Sequence, residues 1–374
     1  LSYGVPEIGK SGFIDTLPAT TAAAAAASSP SAAPPAAAQD LGDFVSFDDI
    51  APLAQPQQAA SSSAAAGSSS SNAWQPTRRY SGNLAPLLLH EELLDFWHAF
   101  RPTRAELAAR RDLIKRLEAV VSTVWPEASV RAFGSYDTGL FLPESDIDIV
   151  CLDTGVHTKQ RGPALHKLAR ALRRAEWPIS EMEVVDKARV PIIKFVDGQS
   201  GIPVDICLEE RSGLSSSDLT RKAARQFPAF STLVLFLKRF LNARGLHDTF
   251  TGGIGSFLLT LMVIAALQHP PSEETQKHKG ATKTRGNLGI ELLHFFEVFG
   301  LRLNYEAVGI SLADGGKFFR KPRARLENGK AHHLCIENPL DRSHDVGANS
   351  YNILSVKRVF QHGYFALLSD MSGA

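Results

Sequence analysis

Hydrophobic residues recur at regular spacing only over the later four-fifths of the chain. Two helices are predicted within residues 83–127, the second opening at Thr103, which forms a capping box with Glu106. Hydrophobic positions of this second helix keep helical spacing until Pro126. We expect both helices to pack with a helical domain further along the chain.

The hydrophobic period changes to that of β-strands over residues 128–213. A basic helix at 166–176 separates two predicted strands from two more, and the turn after the first strand is Gly134-Ser135. The pattern predicts a small mixed sheet with helices packed against it. The four predicted strands are 129–133, 147–152, 192–196 and 203–208.

Helical periodicity returns over residues 214–374. The stretch at 256–268 is hydrophobic on nearly every side, so we expect a buried helix there. Gly245 is typical of a helix end and Asn287 of a helix start. The predicted fold class is therefore α+β, with a small sheet domain followed by a mostly helical domain.

Residues 1–82 lack any such pattern. Ala, Ser, Pro and Gln dominate between Pro18 and Ser71. This composition buries too little apolar surface to offset the entropy of ordering the chain. We expect the N-terminal region to be disordered.

The overall composition narrows the classes of function. With 40 basic and 39 acidic residues the formal charge is +1, so a polyanion would need local basic patches or a partner subunit. The three cysteines are far apart and form no C-x-x-C pair, which disfavours disulfides and zinc sites and fits a reducing compartment. The longest apolar run, 254–267, is too short to span a bilayer, and we expect no membrane association.

Three aspartates are the candidate chemistry. Asp146 and Asp148 stand two residues apart at the start of a strand, so they project from one face about 7 Å apart. Asp205 lies in an apolar strand of the same sheet, where an unpaired charge is costly. Three carboxylates around two Mg²⁺ or Mn²⁺ ions would perform phosphoryl transfer, with Asp205 helping to deprotonate a hydroxyl. An ordinary acidic turn, or a salt bridge from Asp205 to an arginine, is the structural alternative.

Five longer segments resemble one family. They resemble the eukaryotic poly(A) RNA polymerases of the nuclear-surveillance, TRAMP-complex type, within the polymerase-β-like nucleotidyltransferase superfamily. The resemblance implies a catalytic palm domain at 128–213, a PAP-associated central domain at 214–374, and a nucleotide-recognition segment at 336–352. The segments are FGSYDTGLFLPESDIDIV (133–150), KARVPIIKFVD (187–197), TGGIGSF (251–257), NLGIELLHFFEVFG (287–300) and IENPLDRSHDVGANSYN (336–352).

The resemblance also implies which residues bind the nucleotide. The Gly134-Ser135 turn can offer N–H groups and a hydroxyl to a phosphate, and Lys238 is implied to reach the triphosphate. Ser256 and Phe257 open a helix whose N-terminal amides suit phosphate, and Phe257 is implied to stack on the base. A solvent-directed lysine and a plain core phenylalanine are the structural alternatives.

Residues 338–347 are the implied base-selecting segment. Asp341 and Asp345 keep its acidic character, but adenylating relatives tend to have Asn where this chain has His344, and uridylyltransferases of the superfamily have His. The resemblance over the whole chain implies ATP as substrate, whereas His344 alone indicates UTP. Terminal uridylyl transfer stays an alternative, and so does a catalytically inactive scaffold of a surveillance complex.

The implied activity is template-independent polyadenylation of RNA 3′ ends, which tags nuclear RNAs for decay. The implied partners are RNA 3′ ends, a zinc-knuckle RNA-binding protein, an RNA helicase and the nuclear exosome. The implied location is the nucleus, with the nucleolus as a narrower alternative. The basic and aromatic stretch at 317–325 is the candidate RNA contact, with a mobile surface loop as the alternative.

Overall fold

A computed structural model describes residues 85–271, 286–322 and 329–373. All of them lie in the second of two units of the chain, Ser71–Ala374. The predicted disorder of residues 1–82 lies outside the described residues, and so does the end of the stretch at 317–325.

Five strands form the sheet of the sheet domain, in the spatial order β1-β2-β5-β4-β3. The central pair β2 and β5 is parallel, and the other neighbouring pairs are antiparallel. Four strands lie where the hydrophobic pattern predicts them. The bounds are β1 Ser129–Phe133, β2 Ile147–Leu152, β3 Ile179–Val185, β4 Ile192–Asp197 and β5 Pro203–Leu208.

The strand β3 is missing from the sequence-based prediction. It lies at the edge of the sheet and pairs only with β4, with a register shift between Ser180 and Glu183. Its polar residues Ser180, Glu181 and Glu183 are exposed, so its hydrophobic alternation is broken. An edge strand with one wet face gives a weak signal compared with the buried strands β2 and β5.

Helices surround this sheet and make up most of the helical domain. α2 begins at the capping box formed by Thr103 and Glu106, as predicted. The predicted helix start at Asn287 and helix end at Gly245, whose φ is +64°, are also observed. The bounds are α1 Ala85–Phe100, α2 Arg104–Val124, α3 Gly134–Thr138, α4 Arg161–Arg174, α5 Ser212–Gln226, α6 Phe230–Asn242, α7 Ser256–Gln268, α8 Leu288–Phe296 and α9 Ile353–Gly373.

The two N-terminal helices pack against different domains, which corrects our expectation for α2. α1 buries Leu93 in the core of the helical domain, against α6 and α8. α2 instead buries Leu113 and Leu117 in the core of the sheet domain, with Ile149 of β2 and Leu168 of α4. The amphipathic pattern of α2 identifies a buried face, but it does not identify the surface that covers that face.

Hydrogen bonds to a buried carboxylate also connect α2 to the sheet. Asp197, at the end of β4, accepts hydrogen bonds from both terminal nitrogens of Arg116 at 3.2 and 3.0 Å and from Trp177 Nε1 at 2.6 Å. Burial alone would raise the pKa of Asp197, but the hydrogen bonds from Arg116, Ser200 and Trp177 outweigh burial and hold that pKa below its usual range.

The helical domain is organised around α7, as the hydrophobic pattern predicts. Residues 258–266 are all buried, with α6 and α8 packed beside them. Two short hairpins complete the domain, β6 (Val308–Ser311) with β7 (Lys317–Arg320) and β8 (Glu337–Asn338) with β9 (Asp341–Asp345). Within the described ranges, none of the helices combines the length and apolar character needed to span a membrane.

Candidate active site

The three predicted aspartates meet at one end of the central strands. Asp148 of β2 and Asp205 of β5 are register partners in the parallel pair, so their side chains project from the same face of the sheet. Asp146 immediately precedes β2. The hydrophobic residues that alternate with these carboxylates fix the register, because a slip by one residue would bury the charges in the core.

The aspartate cluster holds more negative charge than its surroundings offset. Burial raises the pKa of Asp148 to about 7, and the neighbouring Asp146 and Asp205 add to that shift. Burial and Asp205 also raise the pKa of Asp146, while Lys194 and Lys238 act in the opposite direction. A cation placed among these carboxylates would therefore be strongly favoured.

Lys194 of β4 is the direct partner of Asp205. Its Nζ lies 2.8 Å from Asp205 Oδ2, and this hydrogen bond is the largest cause of the raised pKa of Lys194. The predicted alternative of a salt bridge at Asp205 is thus observed, with a lysine in place of an arginine. A charged residue inside the apolar stretch IIKFV was the sequence signal for this contact.

The donor set fits a hard divalent cation such as Mg²⁺ or Mn²⁺, because it consists of carboxylate oxygens whose mutual repulsion a cation relieves. As the side chains stand, no three His, Cys, Asp or Glu residues in the described part of the chain form a ready-made coordination site. Asp205 Oδ2 is paired with Lys194, so this oxygen can bind a cation only when that ion pair opens.

A cavity of about 620 Å³ lies beside the aspartates. Residues from the sheet domain and from the helical domain line it. The predicted site residues among its lining are Gly134, Ser135, Asp146, Asp148, Lys238, Ser256 and Phe257.

The Gly134-Ser135 turn is the first turn of the short helix α3. Gly134 has φ +68°, and a Cβ at this position would collide with the Asp148 carboxylate. Its N–H donates a hydrogen bond of 2.9 Å to Ser217 Oγ on α5, so this amide, which we expected to face a phosphate, is used within the protein. Ser217 carries no sequence signal that would have identified it.

Lys238 reaches the site from α6. Its Nζ donates a hydrogen bond of 2.9 Å to the backbone oxygen of Leu140, in the loop that leads to the aspartates. Burial lowers its pKa, and Asp146, Asp148 and Glu144 partly offset that effect. The side chain therefore points to the cavity and not to solvent.

Glu144 also lines the cavity, and it was not among the residues predicted from the sequence. Its Oε1 accepts hydrogen bonds from Arg239 Nη1 at 3.2 Å and from Asn242 Nδ2 at 2.8 Å. Arg239 and Asn242 lie one and four residues after Lys238 on α6. The polar run of Glu144 to Asp146 could have indicated a shared acidic surface, but its partners depend on the domain arrangement.

The base-selecting residues do not line the cavity. Asp345 accepts hydrogen bonds from the backbone N–H groups of Ile336 and Gly347, so it shapes the β8–β9 hairpin. Asp341 is fully exposed and accepts from Ser343. His344 is exposed, with Nδ1 3.5 Å from Asn338 Nδ2 across the hairpin. Their role in choosing a base stays a prediction.

Comparison with known proteins identifies the family to which the fold belongs. Residues 89–222 match the family described as the central palm domain of the mitochondrial-like poly(A) RNA polymerases, and residues 287–344 match the Cid1 family of poly A polymerases. The Schizosaccharomyces pombe poly(A) RNA polymerase cid14 is 34% identical over 76% of this chain and 41% of its own length. Drosophila melanogaster Trf4-2, which is named inactive, is 35% identical over 79% of this chain and 72% of its own length.

Two solved structures share the fold. The polymerase core of TRAMP, an RNA surveillance complex, superimposes with a TM-score of 0.70 at 32% identity and covers 78% of this chain and 90% of its own. A Cid1 poly(U) polymerase bound to MgGTP gives a TM-score of 0.62 at 18% identity over 74% of this chain and 94% of its own.

The mixed sheet, the aspartates at its end and the helical domain together define a nucleotidyltransferase fold, which confirms the predicted fold class. Within that class, the chain belongs to the Trf4/Cid14-type poly(A) RNA polymerases. The chain spans less than half of the length of cid14 and of two further poly(A) RNA polymerases, from Cryptococcus neoformans and Saccharomyces cerevisiae.

Proposed function

We propose that this chain adds adenylate residues from ATP to the 3′-hydroxyl of RNA without a template. The observation that most supports the proposal is that Asp146 and Asp148 line a cavity together with Lys238 and Phe257. Asp205, which is not part of the lining, is the register partner of Asp148. Two relatives of this chain are named poly(A) RNA polymerases, and that activity matches the chemistry of the site.

The reaction is an in-line displacement. The 3′-oxygen of the RNA forms a bond to the α-phosphorus of ATP, the bond from that phosphorus to the bridging oxygen breaks, and pyrophosphate leaves. Asp205 accepts the proton of the attacking hydroxyl. Divalent cations, held by Asp146, Asp148 and Asp205, would supply charge stabilisation at the α-phosphate and the leaving group.

Side chains of the cavity position the nucleotide. Lys238, already held beside the aspartates by Leu140, neutralises the triphosphate as a point charge. Ser135 and Ser256 contribute hydroxyls to phosphate oxygens, and the ring of Phe257 stacks on the base. The resemblance to the family suggests these roles, and the placement of the residues on the cavity wall supports them.

A second candidate substrate is UTP, favoured by His344. This histidine lies on the hairpin predicted to face the base, and the Cid1 structures include a poly(U) polymerase whose histidine-to-asparagine variant is bound to MgATP. If this chain uses UTP, substituting His344 by Asn should shift its preference toward ATP.

The test is a tailing assay on one RNA primer with each of the four nucleotides in turn. We expect extension with ATP at least about tenfold faster than with UTP, a difference of about 1.4 kcal/mol in transition-state stabilisation. Faster extension with UTP, reversed by His344→Asn, would overturn the assignment of ATP and keep the assignment of nucleotidyl transfer.

The biological setting is part of the same proposal. The likeness to the TRAMP polymerase core supports a role in nuclear RNA surveillance, with a zinc-knuckle RNA-binding protein, a helicase and the exosome as partners. The near-neutral charge supports a partner that supplies RNA affinity. A nuclear location is part of this proposal. Microscopy of the tagged full-length protein, and its co-purification with a zinc-knuckle protein, test this setting.

A further inference from the structure

A row of side chains crosses the sheet at the level of the aspartates. Glu183 of β3 is the register partner of Lys194 of β4, which is the partner of Asp205 of β5, which is the partner of Asp148 of β2. Residues directly opposite on neighbouring strands project to the same face, with Cβ atoms roughly 5 Å apart. From Glu183 to Asp148, the side chains in this row are therefore negative, positive, negative and negative.

Lys194 stands between two carboxylates but bonds to only one of them. Its Nζ contacts Asp205 Oδ2 at 2.8 Å. The Lys194 side chain is 48% exposed, whereas that of Asp205 is 19% exposed. The ammonium group is thus the more solvent-exposed member of the pair, and it has more room to move than the carboxylate.

Glu183 offers Lys194 a second place to bind. It is exposed on the edge strand β3, and none of the described residues forms an ion pair with it. A lysine has four rotatable side-chain bonds, so a change of rotamer can move its ammonium from one neighbouring strand to the other. Such a move would free Asp205 Oδ2 to bind a cation together with Asp148.

We propose that Lys194 and a divalent cation are alternative partners of the Asp205 carboxylate, and that Lys194 turns to Glu183 when the cation binds. This inference rests on the proposed function, since that function is what brings a divalent cation to the aspartates. Lys194 is a positioning residue in this account: it acts through Asp205 and sets how tightly the cation is bound.

The test is Mn²⁺ binding to the full chain without nucleotide or RNA, measured by isothermal titration calorimetry. Lys194→Met removes the competitor, so we expect the dissociation constant of Mn²⁺ to fall by about threefold to tenfold, the range for losing an ion pair whose acid is mostly buried. Glu183→Gln removes the alternative partner and should raise that constant by about twofold. The control Lys187→Met removes an exposed charge from the loop between β3 and β4 and should change the dissociation constant by less than about twofold.

The double variant separates this exchange from a general effect of charge. If Glu183 acts only through Lys194, Glu183→Gln should have no effect on Mn²⁺ binding when Lys194 is already Met. Equal effects of Glu183→Gln in both backgrounds, or weaker Mn²⁺ binding by Lys194→Met, would overturn the proposal. Glu183→Gln alters an exposed residue, so it tests the proposal even if Lys194→Met folds poorly.

Failure of the Lys194 exchange can be distinguished from failure of the proposed function. RNA tailing with an unchanged Mn²⁺ affinity in Lys194→Met would overturn only the exchange. The expected Mn²⁺ pattern without RNA tailing would overturn only the proposed reaction.

Discussion

The Asp148 carboxylate lies against the Cα of Gly134, with no room between them for a Cβ. Gly134 also has a left-handed backbone with φ +68°. Both features require glycine at this position, and the contact sets the orientation of Asp148. The turn and the carboxylate, which lie 14 residues apart in the sequence, thus form one structural element.

Gly134→Ala should therefore remove activity out of proportion to its effect on stability. The backbone strain costs about 1 kcal/mol, and displacement of Asp148 should lower kcat by about a hundredfold or more. Gly139→Ala is a matched control, because Gly139 has φ +70° and nothing within 4 Å of a Cβ. Thermal unfolding and tailing kinetics of both variants check this. Similar activity losses in the two would contradict the role of the contact.

Asp148→Asn should stabilise the protein at neutral pH in the absence of divalent cations. The pKa of Asp148 is about 7 in the folded protein and about 3.9 in an unfolded chain. The unfolded state therefore loses this proton first, and the stability of the wild type falls as the pH rises from about 4 to about 7. The asparagine side chain of the variant does not ionise, so the variant does not lose stability in this way.

We expect Asp148→Asn to gain about 1–2 kcal/mol relative to the wild type between pH 5.5 and pH 8, measured by urea unfolding with a chelator present. Asp153→Asn, which also removes a negative charge but at an exposed position, should show little such change. A stability difference that does not depend on pH would contradict the account.

Lys238→Met should weaken ATP binding, because it removes the positive charge that faces the triphosphate. We expect KM for ATP to rise about tenfold in steady-state tailing assays. The neighbouring Arg239→Met removes the same charge from an exposed pair with Glu144 and should change KM by less than about threefold. Equal effects would mean that the two residues share the phosphate.

Asp197→Asn should destabilise the sheet domain without a direct effect on chemistry. The buried carboxylate would lose its paired contact with Arg116, at a cost of about 3 kcal/mol. Asp186→Asn, in an exposed pair with His166, should cost less than about 0.5 kcal/mol. Chemical denaturation of both variants tests this difference, and a near-neutral Asp197→Asn would contradict the role assigned to this contact.

The sequence predicted the elements that have strong periodicity. The buried strands β2 and β5 and the apolar helix α7 were found because each is hydrophobic on the faces that become buried. Asp205 stood out because it interrupts an apolar strand, and Asp146 and Asp148 stood out because they are two residues apart at the start of another. Edge strand β3 was missed because three of its seven residues are polar and exposed.

Partners across the structure could not be predicted in the same way. The register that pairs Asp148 with Asp205 depends on how two distant strands align, and the contact of Lys194 depends on the strand that lies beside β5. The packing of α2 on the sheet likewise follows from the whole fold. Periodicity shows which face of an element is buried but not which element covers it.

The central claim is that the aspartates catalyse nucleotidyl transfer, and one measurement tests it most directly. Wild-type protein and the Asp146→Ala/Asp148→Ala double variant are each incubated with a 5′-labelled RNA primer, ATP and Mg²⁺, with circular dichroism to confirm that both are folded. The account predicts primer extension by the wild type and a loss of about a thousandfold or more in the variant. A folded wild type that adds no nucleotide, as an inactive scaffold would behave, or a variant that extends the primer equally well, would contradict it.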